Sequence, residues 1–486
     1  MHGMTPGEPR EVNTLTADSF DAEAFFTEAA RAMRVSALSG SERVRVADAL
    51  SRVLKQDVFS SGMWPASPRA TETGYAINAA HTAAASALLP TYLKPANFVV
   101  NTETVEPEPL PEGAFSYILR GLCLPGDADA MIPHGSRWLG ETRGYDEAIV
   151  APVPAGLNVC LVGSDVKVGQ KLLCAGSLVT PQSQAALAMA GVEKLEVSRR
   201  PRIAVISISP ALRPLGEPTL PWQMPDATSL LCQSVLARWG YEADLHRFET
   251  DAFSDRMAAA RLRSVLEGVL NDYDLVVVTG GLGDQPIMQA KSDSRVWRAG
   301  GGSFEPATDV FAIKGLDRVY TPAPGQASGS AAGVQGQAAI GAPEMARDCG
   351  VLIDVRGFPF QLLVVMYLLV RPILQSLEGL AGATLEGAYP ESRKPVAPEC
   401  AAAPQFQTIW RTGVLASDAQ RSFQRHRLAL ARLGDPGLTA ENRVHALPAH
   451  PELTARGLLL ADAVVVVPRG AGTLVAGTSV RFFPLD

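Results

Sequence analysis

A chain of 486 residues is too long for one hydrophobic core, because cores stop growing near ~250–300 residues, so several compact units are expected. Hydrophobic residues make up 47% of it and charged residues 19%, a globular balance that excludes an intrinsically disordered polypeptide. The formal net charge of -7 excludes the basic footprint of a nucleic-acid binder.

The opening MHGMTPGEPREVNTL has no apolar core of the kind a signal peptide carries. Phe25, Ala29 and Met33 recur at four-residue spacing, which predicts a helix over 22–33. Ser39 and Glu42 form a capping-box pattern, with Val46, Ala49, Leu50 and Val53 on one helical face, so a second helix is expected. Between Phe59 and Val150 the texture changes. Strand-like pieces such as Asn97–Val100 and Phe115–Leu119 alternate with Pro- and Gly-rich turns, which predicts a β-rich unit. A helix follows that is marked at both ends, with Thr180 as cap, Pro181 in the first turn and Gly191 beyond the last apolar residue.

From there buried strands alternate with helices. Ile203–Ile208 reads as a strand, Ser229–Trp239 as a helix ended by Gly240, Leu262–Leu270 as a helix, and Leu275–Val278 as a strand running into Thr279-Gly280-Gly281. This alternation predicts a parallel sheet. Gly300–Gly341 reads as loop, and Val351–Val355 as a third strand. The apolar run Phe358–Val370, stopped by Arg371 and Pro372, falls short of the ~20 residues of a membrane span and reads as a buried helix. Glu386–Pro404 is a Pro-rich connector. The stretch with Arg421, Arg425, Arg427 and Arg432 reads as a helix with a solvated face, and Val464–Val467 and Val480–Phe483 as strands of a small β-domain. The cysteines Cys123, Cys160, Cys174, Cys232, Cys349 and Cys400 stand singly without metal spacing, which fits reduced thiols of a cytoplasmic protein.

Five strings in this order resemble the molybdopterin molybdenumtransferase family, the group of bacterial MoeA. Thr73-Gly74-Tyr75-Ala76 resembles its Asp-Gly-Tyr-Ala signature, and Leu124-Pro125-Gly126-Asp127-Ala128-Asp129-Ala130 its LPxGADAV string. Gly163-Ser164-Asp165 stands where the family has Gly-Glu-Asp, Arg199-Arg200-Pro201-Arg202 opens the α/β part as the family does, and Thr279-Gly280-Gly281 is similar to its Ser-Gly-Gly loop. The resemblance covers about residues 20 to 486. It implies a multidomain α/β fold in four parts. These are a helical and linker part (20–60 with 151–200), a β-rich insert (61–150), a parallel-sheet α/β domain (201–385) and a C-terminal β-domain (400–486).

The resemblance also implies a reaction: transfer of molybdate onto the dithiolene of an adenylylated molybdopterin, with magnesium as cofactor. A polyanionic substrate requires backbone amides and cations for phosphate and carboxylates for the metal. Thr279, Gly280, Gly281, Gly283 and Asp284 follow a parallel strand at its C-terminal end, where α/β sheets bind ligands; a plain strand-to-helix turn is the other reading. Other family positions are altered. Thr73 stands for the acid of Asp-Gly-Tyr-Ala. The Thr-Gly-Asp-Glu-Leu loop is replaced by Ile208-Ser209-Pro210-Ala211-Leu212, and the lysine-bearing loop by Ala323-Pro324-Gly325-Gln326-Ala327. Asp354-Val355-Arg356-Gly357-Phe358-Pro359 replaces Gly-Leu-Pro-Gly-Asn-Pro. Pro324, Gly325, Gly357 and Pro359 remain as binding candidates. Asp226 and Asp251 match family acids and are read either as metal ligands or as helix N-caps. Arg120 and Arg356 are additions, either phosphate-binding or surface side chains.

Two functions follow as expectations. One is a divergent molybdenum insertase of molybdenum cofactor biosynthesis. The other is a non-catalytic member that binds molybdopterin or a nucleotide-like anion, or serves as a scaffold. In either case the chain is expected to be a cytoplasmic homodimer without nucleic-acid or membrane partners.

Overall fold

The computed structural model describes residues 37–100, 108–208, 211–248, 262, 264–266, 268–270, 272–280, 296–299, 304–305, 310–314, 351–355, 359–380, 410–421, 426–434, 443–447 and 455–485. The helix expected over 22–33, the connector 386–404 and the second half of the Gly-rich loop lie outside them. The chain divides into two compact units. One comprises residues 42–197 with 397–403, and the other residues 1–41, 198–396 and 404–486.

In the first unit, the segment expected as a helix from Ser39 is instead strand β1 (Ser41–Arg45) followed by a single 3-10 turn, Val46–Asp48. The expected inward residues are buried all the same: Val46, Ala49 and Val53 are at most 6% exposed, while Leu50 faces out. The backbone is recruited by tertiary pairing, with Val46 N–H donating to the Glu193 carbonyl, and this overrides the helical pattern. The β-rich part is a five-stranded sheet built from β2 (Gly74–Ile77), β3 (Thr91–Pro95), β4 (Ala114–Ile118), β5 (Ala130–Pro133) and β6 (Glu147–Ile149), in the order β5-β2-β4-β3-β6. Of the piece expected at Asn97–Val100, only Val100 pairs, as a single bridge to Ile118. Helix α1 (Pro181–Met189) is closed by a reciprocal Thr180–Ser183 capping box, and Gly191 turns the chain out at φ +76°. It leads to β7 (Lys194–Ser198), the partner of β1.

In the second unit, a six-stranded sheet is assembled from β8 (Ile203–Ile208), β9 (Ala243–Phe248), β10 (Leu275–Gly280), β11 (Val296–Ala299), β12 (Val310–Lys314) and β13 (Val351–Val355). Its order is β9-β8-β10-β13-β12-β11. The first four are parallel, as the βα alternation predicts, while β12 and β11 extend the sheet antiparallel. β12 arises within the segment expected as loop, because its Val310-Phe311-Ala312-Ile313 run is hidden among Gly-rich neighbours. The inner parallel strands β8, β10 and β13 are buried along their whole length because both faces are covered, whereas the edge strand β9 carries Asp244, His246 and Arg247. Ala204, Ile206, Ile208, Val276 and Val278 pack against Leu262, Leu266 and Leu270 on one side. Ile203, Val205, Leu275, Val277 and Ile353 pack on the other side against helices α2 (Ala227–Arg238) and α3 (Pro359–Glu378).

α3 continues past the expected stop at Arg371 and Pro372. A π-helical turn over Met366–Val370 precedes Pro372, which then falls within the first two positions of a new α-helical segment, where its missing N–H costs nothing. By length and composition this 20-residue helix is apolar enough to cross a membrane, and 83% of its most apolar window is buried inside the fold. It packs the sheet on one flank, and Leu428, Leu430, Val464 and Phe483 join the same core, which accounts for an apolar surface all round. Those residues belong to β14 (Arg411–Leu415), β15 (His426–Gly434), β16 (Arg443–Ala446), β17 (Ala463–Val467) and β18 (Ser479–Pro484), which run β15-β16-β14-β18-β17 and close through a β15–β17 pairing.

The Arg-rich stretch expected as a helix is therefore β15 from His426 onward. Leu428 and Leu430 enter the core shared with α3, Ala429 and Ala431 enter the barrel's own, so burial on both faces removes the alternation that marks a strand. Arg427 is buried and donates to the Gln420 carbonyl rather than facing solvent. Cys174 is disulfide-bonded, which corrects the reading of every cysteine as a free thiol; spacing along the chain does not report proximity in space. Cys123, Cys160 and Cys232 are free, and burial pushes the Cys232 thiol up to about 12.

Candidate functional site

β8 and β10 run side by side in register, Ser207 beside Thr279 and Ile208 beside Gly280, so both strands end at one edge of the sheet. Gly280 has φ +99°, and a Cβ there would stand 2.9 Å from the Ile208 carbonyl oxygen and 2.9 Å from Leu212 Cδ1. Only glycine fits there. Thr279, one residue earlier, is 0% exposed, and its hydroxyl pairs with Ser229 Oγ at 3.0 Å. Ser229 lies in the first turn of α2. Asp226 caps that helix: Oδ1 accepts the Ser229 N–H at 3.0 Å. Its Oδ2 is equally buried and, among the described residues, makes no hydrogen bond.

Asp226, Thr279 and Gly280 are therefore brought together at the C-terminal edge, and Ser229 joins them. No motif singled out Ser229; the sequence marks only its place three residues after a capping aspartate. Pro359 opens α3 just after β13 ends, at the same edge of the sheet. Gly281, Gly283, Asp284, Asp251, Pro324, Gly325, Arg356 and Gly357 lie outside the described residues. The first turns of α2 and α3 both begin at this edge of the parallel strands, and the positive end of a helix suits an anionic ligand. For a divalent cation, Asp226 Oδ2 is one open oxygen, and among the described residues no three His, Cys, Asp or Glu side chains group closely enough to hold a metal.

The other candidates belong to the first unit. Thr73 precedes β2, and its hydroxyl accepts the Arg120 backbone N–H at 3.1 Å. The Arg120 side chain is exposed. Gly74 is fixed by close approach, since a Cβ would collide with the Ile132 carbonyl oxygen. Tyr75 lies beside His134 at 4.6 Å between ring centroids and beside Phe115 at 5.0 Å. Burial, followed by its hydrogen bond to Glu147, pushes the Tyr75 phenol up to about 12, so it stays a neutral donor at neutral pH. His81 accepts the Gly113 N–H, and His246 lies against Tyr273, so both histidines have ordinary structural neighbours.

Two cavities lie elsewhere. One of about 360 Å³ is lined by Trp64, Val166, Leu172, Leu187 and Met189, and one of about 610 Å³ sits at the opposite edge of the α/β sheet, among Arg200, Arg202, Glu242, Asp244 and Tyr273.

The MoeA N-terminal region (domain I and II) matches residues 23–191. This match and the relatives that follow support a likeness to the MoeA family. It is similar to the molybdopterin molybdenumtransferase of Bacillus subtilis (strain 168), 25% identical over 248 residues, which are 50% of this chain and 55% of that protein. It is also similar to molybdopterin molybdenumtransferase 1 of Mycobacterium tuberculosis (strain H37Rv), 29% identical over 165 residues, 34% of this chain and 36% of that protein. The chain thus spans about half the length, or less, of these curated MoeA-family relatives in alignment. In fold it resembles a molybdopterin biosynthesis MoeA protein from Pyrococcus horikosii, with TM-score 0.63, 22% identity, and 95% of this chain and 98% of that one covered. A second such structure, from Pyrococcus horikoshii OT3, gives TM-score 0.65 at 18% identity, with 95% and 99% covered.

Proposed function

We propose that this protein acts in molybdenum cofactor biosynthesis as a MoeA-like protein that binds a molybdopterin-type anion at the C-terminal edge of its α/β sheet. The observation that carries the reading is Gly280, held at φ +99° beside the capped first turn of α2. Glycine there lets backbone approach a phosphate closely, and the helix end supplies positive potential. The four-part domain division belongs to this reading, with Gly281, Gly283, Asp284, Pro324, Gly325, Gly357, Pro359 and Arg356 around the anion. Asp226 Oδ2, and Asp251, would each give magnesium one position, since that ion is usually bound by one or two carboxylates together with substrate phosphates.

Molybdate and a phosphorylated pterin repel each other, so the reaction of the relatives needs cations and metal-binding acids placed before they meet. Here Thr73 cannot ionise, and its hydroxyl is engaged with the Arg120 backbone. Each preorganised group is worth roughly 3–4 kcal/mol of barrier, and two uncompensated losses slow the step on the order of ten-thousandfold or more. The second reading, a member that binds without inserting metal, is favoured by that substitution. Titration of the full chain with molybdopterin, adenylylated molybdopterin and AMP, each with and without magnesium, tests the proposal. Saturable binding that weakens in Gly280→Val while the protein stays folded supports it, and the absence of binding to all three overturns it.

A further inference from the structure

We infer that Ser229 is the positioning residue of the ligand-binding edge and that it acts through Thr279. The inference rests on the proposed reading that an anion sits over Gly280. Ser229 is 1% exposed and Thr279 0%, so neither hydroxyl reaches a ligand. Ser229 stands at a junction: its N–H is held by Asp226 Oδ1 and its hydroxyl by Thr279, both at 3.0 Å. One side chain thereby ties the first turn of α2 to the last residue before Gly280.

Alkyl groups of the same shape would fill this space without desolvating two hydroxyls, and replacing both partners of a buried hydrogen bond by apolar groups is close to neutral for stability. What the hydroxyl pair adds is direction. It fixes where the helix end sits against the strand end, and hence the relation between the α2 amides and the Gly280 amide. An anion held by convergent amides depends on that relation to within about half an ångström.

The test is a double-mutant cycle on the full chain with Ser229→Ala, Thr279→Val and the pair, reading stability by denaturation and affinity by calorimetric titration with AMP. Each single variant leaves a buried hydroxyl unpaired and loses stability, and the pair regains it. Positioning predicts that AMP affinity falls roughly fivefold to tenfold in the singles and stays low in the pair. Thr279→Ser, which keeps the hydroxyl, retains affinity. If the pair regains affinity together with stability, or the folded singles bind like wild type, the inference is overturned while the site stands. If wild-type protein does not bind AMP, the same cycle is read with molybdopterin and its adenylylated form, and if it binds none of the three, the site reading falls and the inference with it.

Discussion

Gly280 carries the most specific constraint in the candidate site. A β-branched side chain there meets both a left-handed backbone and the Ile208 carbonyl, so Gly280→Val is expected to cost about 2 kcal/mol or more in denaturant unfolding. Unchanged stability would contradict the geometry. A second constraint is the entry into the α/β unit, where Arg199 grips Asp274 with two hydrogen bonds of 2.7 and 2.8 Å. Burial, the largest single influence, raises the Asp274 carboxyl, but the Arg199 bonds, the Arg202 backbone N–H and the charges of both arginines together outweigh it, and the group sits below its ordinary 3.8. A depressed folded-state value means the pair stabilises fully above that ordinary value, and the contribution fades as pH falls through the lower one. Arg199→Ala should therefore lose about 2 kcal/mol at pH 7, with the difference from wild type shrinking as pH falls below about 4. A gap independent of pH would contradict this. At this scale the sequence was legible where one residue type answers one demand, as with Gly74, Gly191 and Gly280. Ser229 was not legible, because its role comes from a strand fifty residues away in the chain.

Elements were read well where local signals and packing agree. α1 has its cap, proline and glycine in the expected places, and β8 matches the expected limits. They were misread where tertiary pairing overrides pattern. β1 took the place of a helix because the chain pairs with β7, and β15 took the place of another because both of its faces are buried. α3 was recognised as buried but cut short, since the π turn that carries it past Pro372 leaves no mark in hydropathy. Its all-round burial gives a direct test. Leu369, 0% exposed in the π turn, should cost about 2–5 kcal/mol when changed to alanine. Leu459, 86% exposed, should change stability by less than about 0.5 kcal/mol when treated alike. Equal effects in thermal or urea unfolding would refute the placement of α3.

For the whole molecule, the likeness to MoeA proteins and the α/β architecture were legible because ordered strings stand at matching spacings, while the chemistry was not, because the strings that would declare it are the ones that match least. We propose a homodimer in the cytoplasm, with the small residues Ala185, Ala186 and Ala188 of α1 exposed for close packing, while Ala190, expected in the same stripe, is buried. Sedimentation of a monodisperse monomer at micromolar concentration would refute that. The acidic balance predicts no submicromolar, salt-sensitive binding to a random oligonucleotide. The central claim is that the fold of the family is kept while its insertion chemistry is not. Complementation of a cell lacking its own molybdenum insertase, at low molybdate and with folded, expressed protein confirmed, tests it most directly. The account predicts no recovery of molybdoenzyme activity, and full recovery at a relative's level would contradict it.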